Sequence, residues 1–116
     1  MSYSSGVNRV LLLGRIGGEP EWRTIDQQQV LCLQLATTEN IKKNGSTYKH
    51  VEWHSIKIPS ELITDDIDLK PGSLIFVQGK LQTRIVFENK IKLYKTEVLV
   101  AGFEKFKSSK EILEAL

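Results

Sequence analysis

The sequence predicts an all-β domain, a five-stranded barrel with one short helix, and three observations lead to it. The 116 residues are enough for one compact domain, 41% of them hydrophobic and 26% charged. Short segments of apolar and alternating residues recur along the chain, separated by turn signals rich in Gly, Asn and Pro. Between the predicted strands, only residues 60–69 have the pattern of a helix. The longest apolar runs are strand-length, so we expect no membrane partner.

The first half of the chain predicts a curved strand followed by a hairpin. Residues 8–16 form the first strand, and the glycines of segment 14–18 predict a bend or bulge at its end. Residues 30–37 form a largely apolar second strand. The turn signal at 43–46 contains Asn-Gly, which tolerates positive φ, and residues 47–58 return as the third strand.

The second half predicts a short helix and a second hairpin. Ser60 is an N-cap candidate for a helix over 60–69, which Lys-Pro-Gly at 70–72 ends. Residues 73–87 alternate, and a tight turn at 88–90 leads to a last strand over 91–100. We expect the following side chains of the fourth strand to form its core face: Ile75, Val77, Leu81, Thr83 and Ile85.

Five strands with one helix between the third and fourth is the element order of an OB-fold. This fold is a partly open Greek-key barrel whose strand 2 and 3 face binds oligonucleotides. Other small barrels and sandwiches share the strand count, and the helix position favours the OB-fold over them. We expect residues 1–103 to form this domain and residues 104–116 to form a short C-terminal helix or tail.

No constellation of reactive residues indicates an enzyme. His50 and His54 with the single Cys32 make no zinc set, so surface or subunit-contact histidines are the simpler interpretation. Segment 14–18 superficially resembles a phosphate loop, but it lacks the Gly-Lys-Ser/Thr ending and opens no helix. The acidic segment 65–68 lacks the spacing of an EF-hand. We therefore expect no catalysis, no cofactor and no metal.

Basic and aromatic residues coincide on the two predicted hairpins. The net charge is only +2, but residues 42–57 hold four lysines against one glutamate, and residues 80–95 hold five basic residues against one. A positive groove can follow a phosphate backbone, and interleaved aromatic rings can stack on unpaired bases. Core or barrel-edge packing is the alternative for Trp53, Phe76 and Tyr94. The pattern predicts single-strand binding by Lys42, Lys43, Tyr48, Lys49, Trp53, Lys57, Lys80, Arg84, Phe87, Lys92 and Tyr94.

Several separated motifs resemble, in order, those of bacterial and mitochondrial single-stranded DNA-binding proteins. They are Gly-Val-Asn-Arg-Val at 6–10 with Leu-Leu-Leu-Gly-Arg at 11–15, Glu-Pro-Glu at 19–21, Leu-Ala-Thr-Thr-Glu at 35–39, Glu-Trp-His at 52–54, Lys-Pro-Gly-Ser at 70–73, Val-Gln-Gly-Lys-Leu-Gln-Thr-Arg at 77–84 and Thr-Glu-Val at 96–98. The resemblance covers about residues 6–100. It implies an OB-fold homo-oligomer, a tetramer or else a dimer, that binds and protects single-stranded DNA in replication, recombination and repair.

The resemblance also assigns roles by position. It implies an interface role for His54, and strand-contacting or groove roles for Arg9, Arg15, Arg23, Lys49, Trp53, Lys80 and Arg84. No secretory or transit pattern opens the chain, so we expect a cytoplasmic, nucleoid-associated protein, or a mitochondrial matrix protein if the chain is a processed form.

The chain departs from the family at three aromatic positions and at its end. Ile41, Pro59 and Val86 stand where family members carry aromatic rings. Each stacked base contributes about 1–3 kcal/mol, so losing three aromatic platforms would weaken binding by orders of magnitude. We therefore expect Phe87 and Tyr48 to substitute for the missing rings. Residues 111–116 lack the family's acidic tip, which makes tail-mediated partner recruitment doubtful. Two alternatives follow: a primosomal-type interaction module that binds nucleic acid weakly, and an anticodon-type or cold-shock-like RNA binder.

Overall fold

The computed structural model describes residues 5–107, and five long strands account for most of them. The strands are β1 (Val10–Ile25), β2 (Gln28–Lys43), β3 (Ser46–Pro59), β4 (Leu74–Glu88) and β5 (Ile91–Phe106). Antiparallel pairing joins β1 to β2, β2 to β3, β1 to β4 and β4 to β5. A short parallel pairing of β3 with β5 closes the barrel in the order β1-β2-β3-β5-β4. The predicted five-stranded barrel is confirmed.

Branched aliphatic side chains fill the barrel. They come from every strand, because alternate residues of a strand point to one face. Burying each such side chain contributes about 1.5–3 kcal/mol. The most completely buried are Leu35, Ile56, Ile58, Ile75 and Val77.

Three two-residue turns connect the antiparallel strands, and all of them have positive φ at both central residues. The turns at 44–45 and 89–90 were predicted, and the turn at 26–27 was not. The first strand was expected to end at Ile16, but β1 passes through a register shift between Gly17 and Glu21 and continues to Ile25. Such turns suit the right-handed twist of paired strands, so each hairpin closes tightly.

The segment between β3 and β4 corrects the expected helix over 60–69. Only one 3₁₀ turn forms, at Ser60–Leu62. Beyond it, the Thr64 hydroxyl donates to the Asp66 carboxylate, and the Ile67 N–H donates to the Thr64 carbonyl at 3.1 Å. Side chains of Thr and Asp compete in this way with the hydrogen bonds of a helix. The predicted position was right and the predicted length was wrong.

The β4–β5 ladder has a β-bulge at Gln78 and Gly79, where Ala101 of β5 is left without a partner. A Cβ at position 79 would collide with the Leu99 carbonyl, so glycine is needed where β5 approaches. Ile75 and Val77 are buried as expected, but Thr83 is exposed and Leu81 and Ile85 are each 50% exposed. The prediction of one continuous core face was therefore wrong beyond the bulge, where the strand leaves the barrel.

Two hairpins extend past the barrel as arms. The β2–β3 arm comprises residues 38–51, all of which are exposed. The β4–β5 arm comprises residues 82–97, and its outer part, 87–96, is exposed throughout. Because the β2–β3 arm and the outer part of the β4–β5 arm are not packed into the core, their side chains are available to a partner on both faces.

β5 runs past the domain boundary expected at residue 103. Residues 104–106 are strand paired with β4, not the start of a C-terminal helix or tail. The rest of that predicted segment, 108–116, lies outside the described residues. Within residues 5–107, no helix has the length and apolar character needed to cross a membrane.

Candidate nucleic-acid interface

One face of the β1–β2–β3 sheet carries Trp53. Leu33 and Ile56 point into the barrel, so Trp53, at odd spacing from Ile56, points outward. Residues paired across an antiparallel ladder share a face, and residues two apart along a strand do so too. Lys49 and Lys42 therefore lie on the same face as Trp53. We call this the groove face.

A groove of about 370 Å³ lies on this face, between the barrel wall and the β4–β5 arm. The Gln34 amide donates to the Ser55 hydroxyl across its floor at 3.1 Å. The floor therefore offers neutral polar groups as well as charged ones. The lining residues are Gly17, Gly18, Glu19, Glu21, Arg23, Cys32, Leu33, Gln34, Ser55, Ile56, Arg84, Lys95 and Glu97.

The Trp53 indole lies against the backbone of Gly17 at the border of the groove. A Cβ at position 17 would stand 2.6 Å from the ring carbon Cη2, so only glycine admits the ring in this position. Trp53 is still 57% exposed. It is supported by the barrel and open to solvent, which is the arrangement a base-stacking platform requires.

Three charged side chains meet at the floor of the groove, and we call them the Glu97 triad: Arg84 and Glu97, which line the groove, and the buried Lys57 beside them. Arg84 Nε donates to Glu97 Oε1 at 2.9 Å, and Arg84 Nη2 donates to Oε2 at 3.4 Å. Lys57 Nζ lies 3.5 Å from Glu97 Oε1 and donates to Gln82 Oε1 at 3.1 Å. One carboxylate thus offsets one of the two positive charges.

Burial in the triad corrects one predicted contact. Lys57 was expected on an exposed basic hairpin, but it is only 5% exposed and is paired with Glu97. A buried ammonium needs such a partner, because its loss of hydration is otherwise uncompensated. Lys57 is therefore part of the groove's support and is not a surface contact.

The ion pair between Glu97 and Arg84 perturbs the pKa of both groups. Burial acts to raise the pKa of Glu97, but the Arg84 hydrogen bonds and the charges of Lys57 and Arg84 outweigh it, so the pKa lies below its ordinary value. The hydrogen bond to Glu97 raises the pKa of Arg84. Burial raises the pKa of the nearby Cys32 thiol. Glu97 and Arg84 are therefore both charged at neutral pH.

The other predicted cations on these strand faces lie outside the lining of the groove. Lys42, Lys49 and Lys80 are exposed and form no salt bridge within residues 5–107. Lys80 shares its β4 face with Arg84, because the two are four residues apart on one strand. We call these three the rim lysines. They remain free to meet phosphates.

The three predicted arginines at the opening of the chain are placed differently. Arg23 pairs with Glu21 at 3.0 Å, and the hydrogen bond to that carboxylate raises the pKa of Arg23. Arg15 Nη1 donates to the Gly72 carbonyl at 3.0 Å, and Arg9 is exposed. Of these, only Arg23 lines the groove.

The remaining predicted contacts of the β2–β3 arm lie on its reverse face. Tyr48 is opposite Ile41 in the register, and Lys43 has the same parity as Ile41, so all three point away from the Trp53 face. Tyr48 is exposed. It can therefore supply the aromatic surface that the family resemblance leads us to expect at Ile41.

The β4–β5 arm shows the same division. Phe87 and Tyr94 lie on the face opposite Arg84, where Lys92 Nζ is 5.4 Å from the centre of the Tyr94 ring. Val86 lies on the Arg84 face and is half-buried. Phe87 adjoins Val86 in sequence but points to the opposite face of the arm, so its ring cannot replace an aromatic ring at position 86.

His54 lies on the reverse side of β3 from Trp53. Its Nε2 is 2.8 Å from the Thr37 hydroxyl, and it borders a second concavity with Leu11–Leu13, His50 and Glu52. His50 Nε2 is 2.9 Å from the Glu52 carboxylate. Among residues 5–107, no cluster of three or more His, Cys, Asp or Glu side chains is placed to hold a metal ion.

Sequence reasoning did not select several lining residues as site residues. Ser55 and Glu97 could have been found by parity, since Ser55 is two residues from Trp53 and Glu97 stands opposite Gln82. Gly17 was interpreted only as a bend. Its role depends on the contact with Trp53, for which no local signal exists.

Comparison with known proteins gives the barrel a family. The profile of the Single-strand binding protein family matches residues 7–106. The chain belongs to this family. It is 39% identical over 106 residues to Single-stranded DNA-binding protein 1 of Chlorobaculum tepidum, covering 85% of this chain and 64% of that relative. It is 33% identical to the Single-stranded DNA-binding protein of Rickettsia conorii, covering 86% and 70%.

Solved structures agree with the family assignment. The chain superposes on an SSB of Plasmodium falciparum, solved in complex with ssDNA, with a TM-score of 0.74 and 25% identity over 91% of this chain and all of that one. The chain also superposes on a deletion mutant of the single-stranded DNA binding protein from Thermus aquaticus, with a TM-score of 0.73 and 22% identity over 91% of this chain and 53% of that one. This second match shows a likeness of fold. The predicted family and fold are confirmed.

Proposed function

We propose that this chain binds single-stranded DNA with little sequence preference and protects it during replication, recombination and repair. The observation that carries the proposal is the supported, exposed Trp53 ring beside a groove with unpaired rim lysines. Every base has a flat face, so stacking tolerates any sequence, and the lysines gain by releasing counterions. The relatives' names and the complex of the Plasmodium falciparum SSB with ssDNA support it. The proposed action is binding without catalysis.

The proposal includes assembly into a homo-oligomer, a tetramer rather than a dimer. Leu11 and Leu13 point outward from β1 and are 57% and 42% exposed, and Leu13 pairs with Phe76 of β4. An exposed apolar patch of this kind indicates a protein contact. His54 borders the same region and not the DNA groove, which supports the interface role that the resemblance implies for it.

The test is equilibrium binding to an oligo-dT of several tens of nucleotides at low and high salt, with duplex DNA as the control. Trp22→Phe leaves Trp53 as the only tryptophan, so its fluorescence reports stacking directly. We expect strong quenching, binding that weakens with salt, and little affinity for the duplex. Negligible binding at low salt would overturn the proposal. An RNA oligomer that competes as well as DNA would favour the RNA-binding alternative.

The second candidate is a protein-interaction module that binds nucleic acid weakly. The observation in its favour is the reverse face of the β4–β5 arm, where Ile85, Phe87 and Tyr94 are exposed away from the groove. Unperturbed oligo-dT binding in a Phe87→Ala, Tyr94→Ala double variant would leave that face free for protein. Loss of oligo-dT binding in the same variant would assign the face to DNA.

A further inference from the structure

Arg84 is held by one edge of its guanidinium group. Nε and Nη2 both donate to Glu97, and the side chain remains 28% exposed where it lines the groove. The carboxylate binds in the plane of the guanidinium, so it does not cover the flat faces of that plane. Glu97 is itself buried, at 8% exposure, so this anchor is fixed in the barrel wall.

The floor of the groove is consequently a poor phosphate site. Lys57 and Arg84 carry two positive charges and Glu97 carries one negative charge, which leaves one positive charge shared among three tightly linked groups. A phosphate would have to displace Glu97 to reach the same edge of Arg84. The rim lysines, which have no such partner within the described residues, take phosphates at a lower cost.

A base suits the floor better than a phosphate does. Unpaired bases stack on guanidinium planes as well as on aromatic rings. The neutral Gln34 and Ser55 groups beside Arg84 offer hydrogen bonds without a preference for an anion. Val86, where the family resemblance implies an aromatic ring, is two residues from Arg84 on the same face of the arm.

We propose that Glu97 is a positioning residue that withholds Arg84 from phosphates and presents its guanidinium plane as a stacking surface for a base, in addition to Trp53. This inference rests on the proposed single-strand binding and adds to it a division of the interface: bases at the floor and phosphates at the rim. It also gives the groove a second platform without an aromatic residue at position 86.

Two variants and two ligands test this division. The ligands are oligo-dT and an abasic oligomer of the same length, each titrated over a range of salt. Arg84→Lys keeps the charge and loses the plane, so we expect about tenfold weaker oligo-dT binding and unchanged abasic binding. Glu97→Gln releases Arg84 and Lys57, so we expect the slope of log K against log salt to steepen by about 0.7 for each further phosphate that the released cations neutralise.

Glu88→Gln is the matched control, because it makes the same change of charge on the same arm. Glu88 lies 3.6 Å from the exposed Lys95 and is outside the triad. Because Lys95 lines the groove, this variant is the control for the affinity ratio and not for the salt slope, and we expect the ratio of oligo-dT to abasic affinity to stay unchanged. Thermal unfolding of each variant confirms that the barrel is folded.

An unchanged affinity ratio in Arg84→Lys, or a salt slope in Glu97→Gln that stays equal or becomes shallower, overturns the inference while the proposed function stands. If Glu97→Gln fails to fold, the affinity ratio in Arg84→Lys decides alone. If the wild-type chain binds neither oligomer, the proposed function fails, and the inference fails with it.

Discussion

At the scale of single residues, Trp53 has its position because Gly17 has no side chain. The indole occupies the space that a Cβ would fill, and the backbone beneath holds it at the border of the groove. The proposed binding surface thus depends on a residue that has no side chain with which to contact DNA. Glu97 acts similarly from the floor of the groove, since it holds Arg84, which lines the groove, and the buried Lys57.

Gly17→Ala should displace the Trp53 ring without unfolding the barrel, because a side chain can move aside more easily than backbone can. We expect oligo-dT binding to weaken by about 1 kcal/mol, roughly fivefold, at the lower end of the value for one stacked base. Fluorescence titration of the Trp22→Phe form measures it. Gly6→Ala, where a Cβ would meet nothing within 4 Å, is the control. Wild-type affinity and quenching in Gly17→Ala would contradict this role.

The buried carboxylate also predicts a pH dependence of stability. The pKa of Glu97 is lower in the folded chain than its ordinary value of 4.5, so its ionised form stabilises the fold above that pH. The contribution is lost as the pH falls through the lowered pKa, because the protonated Glu97 carboxyl group no longer carries the negative charge that pairs with Lys57 and Arg84.

Urea unfolding of the wild type and Glu97→Gln at neutral pH and at acid pH measures this contribution. We expect Glu97→Gln to be less stable at neutral pH, by less than the roughly 3–5 kcal/mol of a fully buried pair, because Arg84 is partly exposed. The difference should shrink below pH 4.5. Asp66 and Asp68 also have lowered pKa values. Both residues are present in the wild type and in Glu97→Gln, so their contributions cancel in the difference in unfolding free energy. A difference that stays constant with pH would exclude this electrostatic origin.

At the scale of elements, strand alternation divides each arm into two faces. The residues predicted as one DNA-binding set are separated by it: Trp53 and Arg84 on the groove side, Tyr48 and Phe87 on the reverse. One residue along a strand is enough to reverse a side chain. Nearness in sequence to a missing aromatic therefore does not make a residue its substitute.

Val86→Trp should strengthen single-strand binding, because a ring at that position joins the Arg84 side of the β4–β5 arm. We expect a gain of about 1 kcal/mol, or roughly fivefold, with little change in the salt slope, since stacking involves no counterion. Phe87→Trp adds a similar ring on the reverse face and is the control. Equal gains in both variants, measured by oligo-dT titration, would show that DNA contacts both faces of the arm.

At the scale of the whole molecule, the barrel leaves apolar surface uncovered on the outer face of β1. Leu11 and Leu13 are exposed there, away from the groove. Exposed apolar side chains on the outside of a barrel favour association, because burial removes them from water. The proposed subunit contact and the proposed DNA groove thus lie on different sides of the same fold.

Leu11→Lys should shift the proposed oligomer toward smaller species, because it places a charge in the apolar contact. Sedimentation equilibrium at several protein concentrations measures the change in mass. Ile85→Lys, at a half-exposed position on the β4–β5 arm, is the control and should leave the mass unchanged. An equal mass for wild type and Leu11→Lys would place the subunit contact elsewhere.

The local features of the fold could be predicted because they depend on neighbouring residues. Apolar runs, alternation and turn signals located all five strands, and Asn44-Gly45 located a turn, since only residues that tolerate positive φ fit there. The helix over 60–69 was overestimated because Thr64 and Asp66 bond to each other. The continuation of β1 to Ile25 was missed because glycines that suggested an end instead accommodate a register shift.

The sequence by itself determined the strand pattern, the apolar side chains that fill the barrel and the resemblance to a family, because each is written in local order and spacing. Only the tertiary structure decided which side chains share the groove. Closing the barrel brings Glu97 to Lys57 and Gly17 to Trp53. These pairs are far apart in the chain, so their contacts depend on the pairing of distant strands and not on any local pattern.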